Sequence, residues 1–155
     1  MITIKSRRSL RKRATSLLKR DSRFVLDNNL IIASVKSGWT RSTDLLFTII
    51  LSDAELYGNL ELLNEYEKYI HKFLGVYPLF VLLRNRIALV DPGIDSLMSC
   101  KPYFPESQYA DVVHAATCLE TGAVMITNDV HFNRINDSGL IKVWNISLAI
   151  KELLG

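Results

Sequence analysis

Two short apolar runs constrain this chain most. FVL at 24–26 stops abruptly at Asp27, Asn28 and Asn29, and AVMI at 123–126 stops at Thr127, Asn128 and Asp129. An apolar run this short, without polar alternation, reads as a strand buried on both faces. AELYG reads as a second strand, ALVDPG as a strand end and a turn, and IKVW as a last strand. Helical stretches fall between them: LIIASV after the first run, then a helix over 44–51 behind the SGW, Thr40 and Ser42 punctuation. A long helix capped by Asn59 follows to about Leu74, and Pro78 opens another containing LFVLL. A candidate N-cap at Ser107 starts a helix closed by Gly122, and the chain finishes in a helix ending KELLG. Strands alternating with helices predict a parallel sheet covered on both faces, a three-layer α/β/α sandwich. In such a sheet the ligand site lies beyond the carboxyl ends of the strands.

With 155 residues, 48% of them hydrophobic, the chain can bury a sizeable core within one domain, and 23% charged residues exclude wholesale disorder. The longest apolar stretch, LLFTIIL, is far short of a membrane span, and the basic start has no apolar run behind it to form a signal peptide. Two cysteines, Cys100 and Cys118, supply neither a disulfide framework nor paired metal-ligand spacing, which points to a reducing cytosol and a cytoplasmic protein. Charge is unevenly placed. Eight of the 19 Lys and Arg residues (Lys5, Arg7, Arg8, Arg11, Lys12, Arg13, Lys19, Arg20) and none of the 16 acids lie in residues 1–20. A basic end on an acidic body suits a polyanionic partner, or is simply a solvated arm. Leu10, Ala14, Leu17 and Leu18 fall at helical spacing, so the sequence divides into a basic, helical segment over 1–22 and a body over 23–155.

Parallel order puts Asp27 and Asp129 at the same edge of the sheet, although either alone is most often a turn residue or a helix cap. Asp111 opens an apolar helix, YADVVHAATCL, where burial of an acid demands a partner and where the helix dipole favours an anion. Glu65 lies at the edge of the apolar stripe formed by Leu62, Leu63, Tyr66, Tyr69, Ile70, Phe73 and Leu74. From there it can enter a cleft, pair with Lys68 or sit in water, and Glu61 competes for the same role. Four acids sharing a site without a base repel one another unless a cation joins them. All-oxygen ligation favours Mg²⁺ or Mn²⁺ over zinc.

These blocks resemble the PIN-domain nucleases, which include the VapC-type toxins. FVLDNNLIIAS is similar to that family's strand, first Asp and following helix; AELYGNLELLNEYEKYI to its strand, helix and Glu-Tyr segment; and ADVVHAATCLETGAVMITND with VHF to its last acidic motifs. The resemblance implies a PIN-like sandwich, Mg²⁺ or Mn²⁺ as cofactor, and hydrolysis of RNA to 5′-phosphate and 3′-hydroxyl ends. It implies catalytic roles for Asp27, Glu65, Asp111 and Asp129, the three aspartates holding the metal, with Asn28 and Thr127 as supporting neighbours. A protein antitoxin and a second copy of the chain are the implied protein partners. His131 departs from the family pattern, since many members carry an acid there, and this would weaken a second metal site.

Other residues divide between a chemical and a plain role. His114, three residues after Asp111, suits either a support or substrate role or an ordinary core or surface histidine. His71 and His131 have no partner pattern, and Cys118 reads as a small apolar residue on a buried helix. Trp39 can stack on a base or pack, and Arg41 and Arg84 can meet phosphate or only solvent. Other classes fit less well. A PIN-like module that binds RNA or protein without catalysis would be marked by loss of acids, and all four are present. A phosphoacceptor receiver domain needs paired acids after the first strand, and a dinucleotide-binding domain needs a Gly-rich loop after a strand; both features are missing.

Arg7, Arg8, Arg11, Lys12 and Arg13 are expected either to track an RNA backbone or to lie on a helix that binds a protein partner, an antitoxin or a second copy of the chain, and the RNA reading is the one tested by deletion. Removing residues 1–20 should then raise the Michaelis constant for RNA more than it lowers turnover, and should flatten the dependence of log affinity on log salt; unchanged RNA affinity at low salt would refute it.

Overall fold

The computed structural model describes residues 22–70, 72 and 77–155. The first strand, β1 (Arg23–Leu26), buries Phe24, Val25 and Leu26 almost completely. The side chains of a strand alternate between faces, so burial of three in succession means both faces are covered. Asp27 then takes extended backbone geometry and caps α1 (Asn28–Val35) by accepting the Asn28 amide. In α2 (Arg41–Ile50), Thr40 and Thr43 form a reciprocal capping box, which starts the helix three residues before the position expected from Asp44.

After β2 (Glu55–Gly58), Asn59 opens α3 (Leu60–Ile70), its Oδ1 accepting the Leu62 amide at 2.8 Å. Pro78 sits in the first turn of α4 (Tyr77–Arg86), which leads into β3 (Ile87–Leu89). Two short helical pieces then appear that the sequence pattern did not announce: α5 (Ile94–Cys100) and a 3-10 turn at Lys101–Tyr103. Ile94 and Met98 of α5 are exposed while Cys100 is buried, so its apolar residues trace no single stripe. The long helix α6 (Tyr109–Thr121) begins two residues after Ser107. The chain turns there, with the Gln108 amide bonded to the Pro105 carbonyl, and Ser107 caps nothing. Past Gly122 come β4 (Val124–Ile126), a 3-10 turn at Val130–Phe132, α7 (Asn133–Ser138), β5 (Lys142–Trp144) and α8 (Ile146–Leu154).

The five strands are all parallel and stand in the order β3-β2-β1-β4-β5. The chain winds outward from β1 through β2 to β3, then crosses to the other side of β1 for β4 and β5. The winding direction therefore reverses between β1 and β4, and the carboxyl ends of those two strands are where a sheet of this topology places its ligand crevice. Helix α6 packs across β1, β2 and β4, with α3 and α5 against it, while α2 packs with α1 and α8. The result is the expected three-layer α/β/α sandwich. The basic segment over 1–20, with Arg7, Arg8, Arg11, Lys12 and Arg13, and the apolar residues Phe73 and Leu74 lie outside the described residues. Among the described residues no helix is long and apolar enough to cross a membrane.

Gly122 ends α6 in the left-handed region at φ +72°. Gly122→Ala should cost about 1 kcal/mol through backbone strain alone, because the space around a new Cβ is open to 3.8 Å. Urea denaturation should show a lower midpoint with an unchanged slope.

Candidate functional site

Asp27 and Thr127 end the two strands that flank the crevice. The Thr127 hydroxyl donates to Asp27 Oδ2 at 2.6 Å and accepts from Asn29 Nδ2 at 3.1 Å and from the Asp129 amide at 3.0 Å. Asp27 Oδ1 accepts the Asn28 amide at 2.8 Å. Asn28 thus meets Asp27 through its backbone, while the neighbouring side chain that reaches the cluster belongs to Asn29. Tyr66, fully buried, donates its hydroxyl to the Leu26 carbonyl just before Asp27. Burial raises the Asp27 carboxyl above its ordinary value, and the Thr127 hydrogen bond is the main opposing influence.

Asp111 stands in the first turn of α6 with only 14% of its side chain exposed. Its Oδ2 is buried and has no hydrogen-bond partner. Burial, followed by the negative charge of Asp129, pushes its pKa up to about 6. Asp129 caps the 3-10 turn and accepts the His131 amide, and the His131 ring lies beside both acids: Nδ1 is 2.9 Å from Asp129 Oδ1 and 3.6 Å from Asp111 Oδ2. Ligand atoms of Asp111, Asp129 and His131 all fall within 4.8 Å of one another. His131 carried no partner pattern in the sequence. The signal lay in its place two residues after Asp129, where the acid's own capping turn brings the ring back.

Glu65 is half-buried on α3, whereas its competitor Glu61 is exposed to solvent. It pairs neither with Lys68 nor with water alone: His114 Nε2 lies 3.1 Å from its Oε1. His114 is a core residue, 1% exposed. Glu65 and Asp27 are near enough for the Glu65 charge to add to the upward pull on Asp27. The group whose ligand atoms lie within 4.8 Å is Asp111, Asp129 and His131, so His131 stands where Asp27 was expected. Asp27 is tied to Asp129 through the Thr127 hydroxyl, and Glu65 is held from the α3 side by His114. Trp39 stacks on Phe47, with ring centroids 5.3 Å apart, and donates to Asp44, so packing occupies one of its faces. Cys118 is buried in the core beside Met125. Arg41 and Arg84 are exposed.

Two carboxylates and an imidazole are a donor set that suits a divalent ion, and the unpartnered Asp111 oxygen is the kind of buried acceptor such an ion satisfies. The cluster therefore fits a divalent metal. Two solved structures share the architecture. One is FitAB bound to an IR36 DNA fragment, at 20% identity and a TM-score of 0.57 over 79% of this chain and 94% of that chain. The other is FitAcB from Neisseria gonorrhoeae, at 19% identity and a TM-score of 0.60 over 80% of this chain and 98% of that one. The fold is PIN-like. No protein-family model matches the chain, and no curated protein does.

The raised Asp111 pKa fixes the sign of a pH effect. Between the ordinary value of 3.8 and about 6 the folded state holds more protons than the unfolded one, so metal-free stability falls as pH climbs through that window. Above it, Asp111→Asn should stabilise the metal-free protein by up to about 3 kcal/mol and flatten the pH dependence of the melting temperature. A wild-type melting temperature that is level from pH 4 to 7 would contradict this.

Proposed function

We propose that the protein is a metal-dependent ribonuclease, hydrolysing RNA phosphodiester bonds with Asp27, Glu65, Asp111 and Asp129 as its catalytic carboxylates. The observation that carries this reading is the buried, unpartnered oxygen of Asp111, grouped with Asp129 and His131 at the crevice of a PIN-like sheet. The PIN-nuclease resemblance of the sequence blocks supports it, and the fold shared with FitAB and FitAcB agrees with it. Asp111, Asp129 and His131 would hold the ion, with Asp27 completing its surroundings. A bound Mg²⁺ or Mn²⁺ would supply Lewis-acid polarisation of the phosphodiester and acidify water.

The chain's own residues do the rest. Thr127 and the Asn28 amide lock both Asp27 oxygens, so its charge stays in one place. Glu65 keeps Oε2 free of the His114 contact, and that oxygen orients the attacking water and takes its proton. The basic residues Arg7, Arg8, Arg11, Lys12 and Arg13 grip the RNA backbone and bring it to an acidic crevice that would otherwise repel it. In the resembled family's setting, the protein acts in the cytoplasm as the toxin of a toxin–antitoxin pair, with a protein antitoxin and a second copy of itself as partners, or as an RNA-processing enzyme.

Incubation with a mixed RNA pool tests the reading. Cleavage should appear with Mn²⁺ or Mg²⁺ and vanish with EDTA, and Asp129→Asn should lower the rate by about 100-fold or more while circular dichroism stays native. Cleavage that persists in EDTA would overturn the reading. Because the imidazole of His131 is a softer donor than carboxylate, Mn²⁺ should raise the melting temperature more than Mg²⁺ at equal concentration, and His131→Asp should narrow that difference.

A further inference from the structure

Beneath Glu65 lies a closed hydrogen-bond chain. Asn59 Oδ1 is committed to the Leu62 amide at 2.8 Å, since it caps α3. The amide group of Asn59 must therefore turn its Nδ2 hydrogens inward, where two acceptors wait: Thr117 Oγ1 at 3.0 Å and His114 Nδ1 at 3.2 Å. The Thr117 hydroxyl proton goes to the Val113 carbonyl at 2.9 Å, leaving the Thr117 oxygen to accept. His114 Nδ1 faces a donor and so bears no proton. The ring proton then sits on Nε2, which donates to Glu65 Oε1 at 3.1 Å.

His114 is almost completely buried and Glu65 is 33% exposed, so the arrangement points outward from a fixed core to a carboxylate at the crevice. A lone carboxylate on a helix surface samples several rotamers; one held by a rigid ring does not. We propose that His114 is a positioning residue for Glu65: a neutral imidazole, its proton fixed on Nε2 by Asn59, that aims one carboxylate oxygen so the other is left free for the reaction. The proposal rests on the nuclease reading for its consequence in catalysis, and on the hydrogen-bond chain for its geometry.

Two measurements separate these. The first needs no activity. In the ¹⁵N-labelled, metal-free full chain, the ring signals of the three histidines are assigned by loss of one set in His114→Gln. The His114 ring should show a bare Nδ1 and a protonated Nε2, and Glu65→Ala should move the Nε2–H resonance. In Asn59→Asp, which keeps the cap acceptor and replaces the inward donor by an acceptor, Nδ1 should become protonated. A protonated Nδ1 in the wild type, or an Nε2–H resonance that ignores Glu65→Ala, would overturn the proposal.

The second measures RNA cleavage with Mn²⁺. His114→Leu should lower kcat by about 10- to 100-fold with little change in KM, as loss of an outer partner does. His114→Gln, which can still accept from Asn59 and donate to Glu65, should recover most of the rate. Wild-type kcat in a natively folded His114→Leu protein would overturn the positioning role. If the wild type itself cleaves no RNA under any metal, the nuclease reading fails instead, and the ring signals still decide whether His114 holds Glu65.

Discussion

The hydroxyl of Thr127 joins the two halves of the sheet at the point where the winding reverses. It donates to the acid after β1 and accepts from the backbone after β4 and from the start of α1. One oxygen thus fixes the relation of two segments that are about a hundred residues apart in sequence. Part of the crevice is hung from that point: Asp27 cannot rotate without breaking it, and the turn that carries Asp129 and His131 begins from it. A β-branched hydroxyl suits the place, because its χ1 is restricted and its methyl group can pack while its oxygen bonds.

The electrostatics run against the stability of the empty fold. Burial raises both Asp27 and Asp111, and Asp129 adds to the load on Asp111. A sequence that retains unfavourable charge at the carboxyl edge of a parallel sheet, and nowhere comparable among the described residues, shows the pattern expected where binding offsets strain. His131 lessens the repulsion by standing between Asp129 and Asp111 with a nitrogen where a third carboxylate would be worse.

Much of this was legible in the sequence because β1 and β4 are so plainly written. FVL and VMI admit few readings other than buried parallel strands, and an acid after each then falls at one edge. Glycine closing α6, proline opening α4 and asparagine capping α3 were equally readable, since each acts through local backbone chemistry. What stayed hidden depends on distance or on rotation. The partner of Glu65 is 49 residues away, and no local pattern announces it. Asn28 and Asn29 differ by one helical step, and composition cannot tell which of them turns toward Thr127. The short helices α5 and α7 carry too few buried residues to show a period, with Ile135 the single buried residue of α7.

Asn59 has a wider bearing. The same amide that begins α3 also orients the ring beneath Glu65, so the start of a helix and the aim of a reactive group are one decision. Each residue added to or removed from the front of that helix would swing everything downstream by about 100° around its axis. Asn59 follows β2 directly, and a residue inserted between it and Glu65 would turn the carboxylate away from the ring, which makes their interval of six a ruler that relatives of this chain can be measured against.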